Sequence, residues 1–588
     1  MSNIEDVPEE LAVGRGDPAY MAHAYLTKVP VPAIEPFIAA HTPPGGTVAD
    51  PFAGSGMTGV AAARLGRAAH LFDISVLGQH IGRNFVNLVD PELFAKHSAE
   101  VIRAGREELG DVYAVPCTRC GRDAALAKSV WSIIVECSNC GAPVNYYRAM
   151  EAAAWRKPDM ACSRCRASIS SRNRRIGEEP VLDSINCNCT PRQLDQAPTP
   201  AIHAVDIEKL DYPRVEITPD RQMYKASALG KSGMTTIASF YSARNLAVLT
   251  TLRKHIAQVD DAAIRDKLLF AFTACLTRAS KRYQWSRQRP LNAANANYYV
   301  AAVFYEWNVY ELFTRKVKAV SSADDYIRGC RRHYAEHSQV DSPAVSYQIS
   351  SADLIPLEDS SIDYVFTDPP FGSNLFYADM ALFQEAWLDG FTNVDLEAVI
   401  DRSKDGKRTA ARYETLLTNA LRECKRILRP GGRISMVFGN SSGSVWSLVQ
   451  RAIAEAGLTI DPDALVVLNK GQRSVKGLAS GFEDVATLDL IITMRAAGTE
   501  LQRALKDIDA ATVAAKIREL ARVSPATPSH LYLELLRTGI REGWQLAQLD
   551  LRDVTTALIA DGWDIDPKTG RLKRAGADGS EADDRLFL

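Results

Sequence analysis

A carboxylate, two prolines and an aromatic ring, Asp368-Pro369-Pro370-Phe371, stand directly after the apolar run Ile362-Asp-Tyr-Val-Phe-Thr367. Proline cannot donate to a sheet ladder, so a strand carrying this sequence must leave its sheet at Asp368. The exit is a stiff corner. It presents an acid, main-chain carbonyls and a ring at a strand's carboxyl end, the edge where open α/β sheets bind ligands. A bare Asp-Pro-Pro is in most proteins only a strand terminator. The buried-type strand before it and Phe371 after it favour a site.

A second acid closes another short strand. Asp50-Pro51-Phe52-Ala53-Gly54-Ser55-Gly56 follows Gly46-Thr-Val-Ala and precedes the helix formers Met57 to Leu65. Glycines at such a corner let the backbone approach a ligand that a Cβ would push away. The next helix begins with free N–H groups, which suit a carboxylate or a phosphate. Asp73 ends the following strand, Ala68 to Phe72, where an acid can bind ribose hydroxyls. The alternative is a tight strand–helix turn with no ligand, which the full context disfavours.

Eight of the 11 cysteines fall in one stretch. Cys117-Thr-Arg-Cys120 and Cys137-Ser-Asn-Cys140 have zinc-ribbon spacing, and Gly121 and Gly141 suit the turns of zinc knuckles. Cys162-Ser-Arg-Cys165 and Cys187-Asn-Cys189 form a less usual set. Two tetrahedral four-thiolate zinc sites are expected, one from each set, although an interleaved pairing would use the same residues. Four thiolates leave no open position for water, so this zinc would be structural. Cys275, Cys330 and Cys424 read as buried small apolar residues.

Basic and aromatic residues interleave at Arg278, Lys281, Arg282, Tyr283, Trp285, Arg287 and Arg289, a pattern suited to phosphate binding and base stacking. The cysteine stretch adds Arg164, Arg166, Arg172, Arg174 and Arg175. A solvated charged face is the plainer alternative for both. Asn292, Asn295 and Asn297 read as turn caps. Lys470-Gly-Gln-Arg-Ser-Val-Lys-Gly477 is either a loop on the cleft or an ordinary hairpin turn.

These motifs need elements that hold them. Strand–helix alternation over 20–105 and again over 345–495 predicts a parallel sheet with crossover helices. Neither half has a complete strand series, so one sheet interrupted by the middle of the chain is the economical arrangement. The expected divisions are 1–105, the first half of that α/β domain; 106–200, the zinc-ribbon insertion; 220–340, a helical insertion; 341–500, the second half; and 501–588, a small, mainly helical C-terminal region. Ala197 to Pro219 reads as a linker. The net charge of −2 excludes a polycation, so any nucleic-acid contact needs a local basic surface. No apolar run is long enough to span a bilayer, and the acidic start is wrong for a secretory signal, so a cytoplasmic protein is expected.

Asp50 to Gly56 resembles the S-adenosylmethionine-binding motif of the amino-methyltransferases, and Asp368-Pro-Pro-Phe371 resembles their catalytic motif. His23-Ala-Tyr-Leu-Thr-Lys28 is similar to the segment beside the cofactor, and Asp353 matches the acid near its adenine. The stretch from Asp368 through Tyr377-Ala-Asp379 to Trp387-Leu388 is especially like bacterial adenine-specific DNA methylases containing a zinc ribbon. The resemblance implies a Rossmann-like methyltransferase sheet. It implies transfer of a methyl group from S-adenosylmethionine to adenine N6 in flipped-out double-stranded DNA. Its setting would be restriction-modification or phage defence, with a partner protein of such a system. Lys28, Asp50, Pro51, Phe52, Ala53, Gly54, Ser55, Gly56, Asp73 and Asp353 would bind the cofactor. Asp368 and the Pro369 carbonyl would orient the amine, Phe371 would stack on the base, and Tyr377 is a weaker candidate for the same pocket. A cytosine-N4 or RNA amino-methyltransferase, or an inactive zinc-containing nucleic-acid binder, is the alternative.

Overall fold

A computed structural model of the chain describes residues 7–198, 205–287, 300–337, 344–372, 375–401, 406–471, 486–498, 505–523, 526–566 and 569–574. Its centre is an eight-stranded sheet. From edge to edge the strands are Glu10–Ala12, Leu458–Asn469, Asp489–Ala496, Leu428–Phe438, Ile362–Thr367, Thr47–Asp50, Ala68–Asp73 and Val345–Ile349. Asp489–Ala496 runs antiparallel to both neighbours, and the other pairings are parallel. Strands such as Ile362–Thr367 are apolar and buried along nearly their whole length, as a sheet covered on both faces requires.

The two halves of the chain meet in the middle of this sheet. Tyr364 and Val365 pair in parallel with Val48 and Ala49. From Thr47–Asp50 the chain order runs outward one way through Ala68–Asp73 and Val345–Ile349. The other way it runs through Ile362–Thr367 and Leu428–Phe438. That reversal is a topological switch point, and the crevice above it lies at the carboxyl ends of both strands.

The cysteine block is built on a long antiparallel pair, Asp123–Glu136 with Arg175–Asn186. Val303–Trp307 also joins this sheet, pairing with Asp123–Glu136 from Lys128 opposite Trp307 to Ser132 opposite Val303. The expectation of a helical insertion does not hold for this segment. Its β-branched and aromatic run, Val-Phe-Tyr-Glu-Trp, fits a strand better. Most of the other described residues of the insertion are helical. Ala243–Ala257, Ala262–Ala279 and Val309–His337 pack with one another and with Pro91–Leu109 from the first half. Lys267 is buried among them, donating to Asp324 at 2.7 Å and to the Asn84 carbonyl at 2.6 Å.

The C-terminal region has helices Ala510–Val523, Pro528–Glu542 and Leu551–Ala560, then a hairpin of Trp563–Ile565 with Leu572–Arg574. It packs on helix Gly443–Glu455 and strand Leu458–Asn469. Among the described residues no helix is long and apolar enough to cross a membrane.

Candidate active site and metal centres

Asp50 ends its strand buried. One carboxylate oxygen accepts the Phe52 N–H at 3.1 Å, and the other accepts the Thr58 hydroxyl at 2.6 Å. Burial pushes its carboxyl up to about 7, against the pull of the Thr58 and Thr367 hydroxyls. Asp50 therefore ties strand, turn and helix together. Gly54 and Gly56 take positive φ, and a Cβ on Gly56 would sit 2.7 Å from the Gly82 Cα, so only glycine fits this crossing. Gly56 is also the N-cap of helix Met57–Arg64 and supplies no side chain to its first turn, leaving those N–H groups open to an anionic ligand.

Asp73 faces the same turn. It accepts the Gly54 N–H at 2.8 Å and the Ser75 N–H at 2.9 Å, and burial raises its carboxyl. The Tyr347 hydroxyl donates to the Gly54 carbonyl at 2.6 Å. The Lys28 ammonium is buried and donates to the carbonyls of Tyr20 at 2.6 Å and His23 at 2.7 Å. These bonds fold the 20–28 segment over the turn.

The second corner lies on the neighbouring strand. Tyr413 donates to the Pro370 carbonyl at 2.7 Å, and the Asn440 amide donates to the Phe371 carbonyl at 2.7 Å. The corner is thus clamped from helix Ala410–Ile427 and from the end of Leu428–Phe438. The Asp368 carboxylate has no hydrogen-bond partner among the described residues. Burial pushes it up to about 7; Lys470 opposes this, while Asp489 and Asp50 add to it.

One cavity joins the two corners. Lys28, Asp50, Pro51, Phe52, Ala53, Gly54, Ser55, Asp73, Asp353, Asp368 and Pro370 all line it. Gly56, Pro369 and Phe371 are not in its wall. Gly56 lies beneath the turn, and the Phe371 ring packs on Phe438 at 5.1 Å between ring centres.

Sequence reasoning missed part of the wall: Tyr25, Thr27, Thr392, Leu396 and Glu397. Thr27 and Tyr377 share a hydrogen bond of 3.2 Å across the cavity. Glu385 holds Thr392, accepting its N–H at 2.9 Å and the Leu77 N–H at 3.0 Å, and Glu397 accepts the Ala378 N–H at 3.0 Å and pairs with Arg408. No local motif marks either position. Tyr25 and Thr27 lie in the segment already singled out around Lys28.

The cysteines form two tetrads, each with sulfur atoms within 4.8 Å of one another. Their membership corrects the expected one. Cys117 and Cys120 join Cys187 and Cys189, while Cys137 and Cys140 join Cys162 and Cys165. The strand pair dictates this. Leu126 opposes Ile185 at one end and Val135 opposes Arg175 at the other, so each tetrad gathers the cysteines flanking one end. Sulfur separations of 3.8 Å for Cys117–Cys189, 3.5 Å for Cys120–Cys187, 3.6 Å for Cys137–Cys165 and 3.8 Å for Cys140–Cys162 fit a shared ion. Zn–S bonds of about 2.3 Å in a tetrahedron place sulfurs about 3.8 Å apart. Both tetrads could hold metal ions. Gly121, Gly141 and Arg166 occupy the left-handed position of three knuckles, the last without glycine's freedom.

The middle of the basic–aromatic run is turned inward, while Arg278 stays exposed. Lys281, Arg282 and Tyr283 are buried; Lys281 pairs with Glu178, and Arg282 lies 5.3 Å from the Phe383 ring. Trp285 packs with Trp155 and Tyr147, and exposed Arg287 lies over Trp155. Arg289, Asn292, Asn295 and Asn297 lie outside the described residues. Cys275 and Cys424 are buried as expected, and Cys330 is half-buried.

No curated protein matches the chain. Among solved structures, a chain from the complex between the Haloferax volcanii Trm112 methyltransferase activator and a methyltransferase is 14% identical. The match covers 29% of this chain and 68% of that one, with a TM-score of 0.16. Geranyl diphosphate C-methyltransferase from Streptomyces coelicolor A3(2), in complex with Mg2+, geranyl diphosphate and S-adenosyl-L-homocysteine, is 10% identical over 29% of this chain and 59% of that one, with a TM-score of 0.15. Residues 7–86, which carry the first acidic corner and Asp73, match the DNA methylase family model of the N6/N4 enzymes, and this match supports an N6/N4 amino-methyltransferase.

Proposed function

We propose that the chain is a DNA methyltransferase that carries a methyl group from S-adenosylmethionine to the exocyclic N6 of an adenine flipped out of double-stranded DNA. One observation carries the reading: Asp50 and Asp368 end adjacent parallel strands and line a single cavity. The cofactor corner fits S-adenosylmethionine. The uncapped turn at Met57 suits the methionine carboxylate, buried Asp73 suits ribose hydroxyls, and Asp353 borders the same cavity with Ser351 and Ala352. Bound there, the sulfonium would supply an electrophilic methyl group.

The residues of the chain would do the rest. An exocyclic amine is a poor nucleophile because its lone pair is delocalised into the ring. The Asp368 carboxylate and the Pro369 carbonyl would accept its two N–H bonds, favour a more tetrahedral nitrogen and aim it at the methyl group. The base must leave the duplex to reach this cavity. Phe371, whose carbonyl accepts the Asn440 amide, would be the ring for that base to stack on once it turned from Phe438. The tetrads would carry structural zinc, and Arg164, Arg166, Arg172 and Arg287 would bring cationic charge to the DNA backbone. A role in restriction-modification or phage defence, beside a partner protein, completes the reading. Incubating the full chain with labelled S-adenosylmethionine and duplex DNA, then digesting to nucleosides, tests it. N6-methyladenine is expected. N4-methylcytosine would move the target to cytosine, and binding without transfer would remove the enzyme assignment.

A further inference from the structure

Four strand ends share the edge that carries Asp368. Thr367 is level with Met436 on the next strand, so Gly439 lies just beyond Asp368 in the crevice. Phe438 is level with Leu490 on the strand after that, which places Asp489 beside Gly439. Leu468 pairs with Asp489 on the last of the four, and Lys470 follows two residues later. The Lys470 ammonium bonds Asp489 at 2.5 Å, and both side chains are nearly closed off from solvent, at 10% and 13% exposure. A Cβ on Gly439 would fall 2.1 Å from the Asp489 carboxylate and 3.4 Å from the Phe371 ring. The missing side chain at Gly439 therefore opens the way by which this ion pair reaches the Asp368 corner. The Arg15 guanidinium holds the Lys470 carbonyl at 3.1 Å, so the lysine backbone is fixed as well.

We propose that Lys470, held by Asp489 across Gly439, is a positioning residue that favours the ionised form of the Asp368 carboxylate, the form that can accept a hydrogen bond from the substrate amine. This rests on the methyltransferase reading above. A nitrogen–methyl bond forms as the sulfur–methyl bond breaks, and the sulfonium's positive charge ends as an amine proton. An ionised Asp368 both orients that amine and offers the proton a route to solvent; a protonated Asp368 does neither. Its neighbours act in opposite senses. Asp50 from the adjacent strand and Asp489 disfavour the negative charge, and burial and then Asp368 in turn raise the Tyr377 hydroxyl, which stays neutral. Lys470 favours the charge on Asp368, and itself faces Asp489, Asp368 and Tyr20. With burial, Asp489 and Asp50 raising it and Lys470 lowering it, the Asp368 carboxyl stands at about 7, so loss of the lysine would move its titration up through the neutral range.

The test is single-turnover methyl transfer to duplex DNA by the full chain between about pH 5.5 and 9, with cofactor binding followed by calorimetry. In Lys470→Met the acid limb should move up by about one pH unit, a roughly tenfold loss below the limb that largely disappears at high pH. Lys470→Arg should restore the limb, and Asp489→Asn should move it the other way. A loss equal at all pH values, or an unmoved limb, would overturn the proposal. Carbon-13 NMR of the Asp368 carboxyl, assigned with Asp368→Asn, reads the same midpoint without turnover. If the wild-type chain methylates nothing, the methyltransferase reading falls while this titration still decides the role of Lys470.

Discussion

The Thr47 main-chain N–H donates to one carboxylate oxygen of Asp363 at 2.7 Å, and the Thr47 hydroxyl donates to the same oxygen at 3.0 Å. These two residues begin the adjacent strands that carry the two acidic corners, so their bond sets the level at which the halves of the sheet join. Burial would raise the Asp363 carboxyl, but the Thr47 donors and the Arg429 guanidinium outweigh it and hold it below the ordinary carboxylate value.

Asp363→Ala should therefore lower stability by about 1–3 kcal/mol, read from denaturant unfolding, because it leaves the Thr47 N–H without its acceptor. A depressed carboxylate contributes stability above its ordinary pKa and loses it as the pH falls through the folded value. The wild type should accordingly lose this contribution below about pH 4, and the difference from Asp363→Ala should shrink there.

Asp368→Ala should reduce methyl transfer by about 10²–10³-fold or more. Calorimetry should show cofactor affinity close to that of the wild type, because Asp368 belongs to the second corner and not to the glycine turn. Loss of both together would mean that Asp368 holds the cofactor and not the amine.

Tyr413→Phe removes the hydrogen bond to the Pro370 carbonyl while keeping the ring. A bond of this kind contributes about 1 kcal/mol, so kcat should fall about fivefold with little change in KM for the cofactor. An unchanged kcat would show that the prolines alone keep the corner rigid.

Metal analysis of the purified chain should find two zinc ions, each held by four thiolates. Cys120→Ser and Cys137→Ser should each cost one ion and leave the other bound, because these cysteines belong to different tetrads. Loss of both ions from a single substitution would show that the tetrads are not independent.

Arg166→Gly should stabilise the second tetrad's knuckle by about 0.5–1 kcal/mol, since Arg166 has φ +64 where the other two knuckles place glycine. Thermal unfolding of the metal-loaded chain measures it.

Much of the site was legible because its chemistry is local. Asp50 to Gly56 and Asp368 to Phe371 are short runs whose backbone demands are written in their own prolines and glycines, and each does end a strand at one edge. The rest depends on distant partners. The tetrads divide by the register of two strands that no cysteine spacing encodes. Thr392 reaches the cavity through Glu385, and Glu397 through the Ala378 N–H and Arg408, partners that no local spacing marks. The basic–aromatic run around Arg282 looked like a surface because charge usually stays in water. Here Glu178 and the ring of Phe383 give its cations partners inside.

Adjacent strands separated by so much chain also constrain synthesis. Thr47 and Asp363 are 316 residues apart. At roughly 5–20 residues per second, a ribosome needs about 15–60 s to traverse that interval. Until then Thr47–Asp50 lacks its central neighbour, and the first half carries an open strand edge of the kind that invites mispairing. The crevice does not yet exist, so a nascent or truncated chain would have nowhere to bring a base and a methyl donor together. On this reading, modification of DNA begins only once the second half of the polypeptide has left the ribosome.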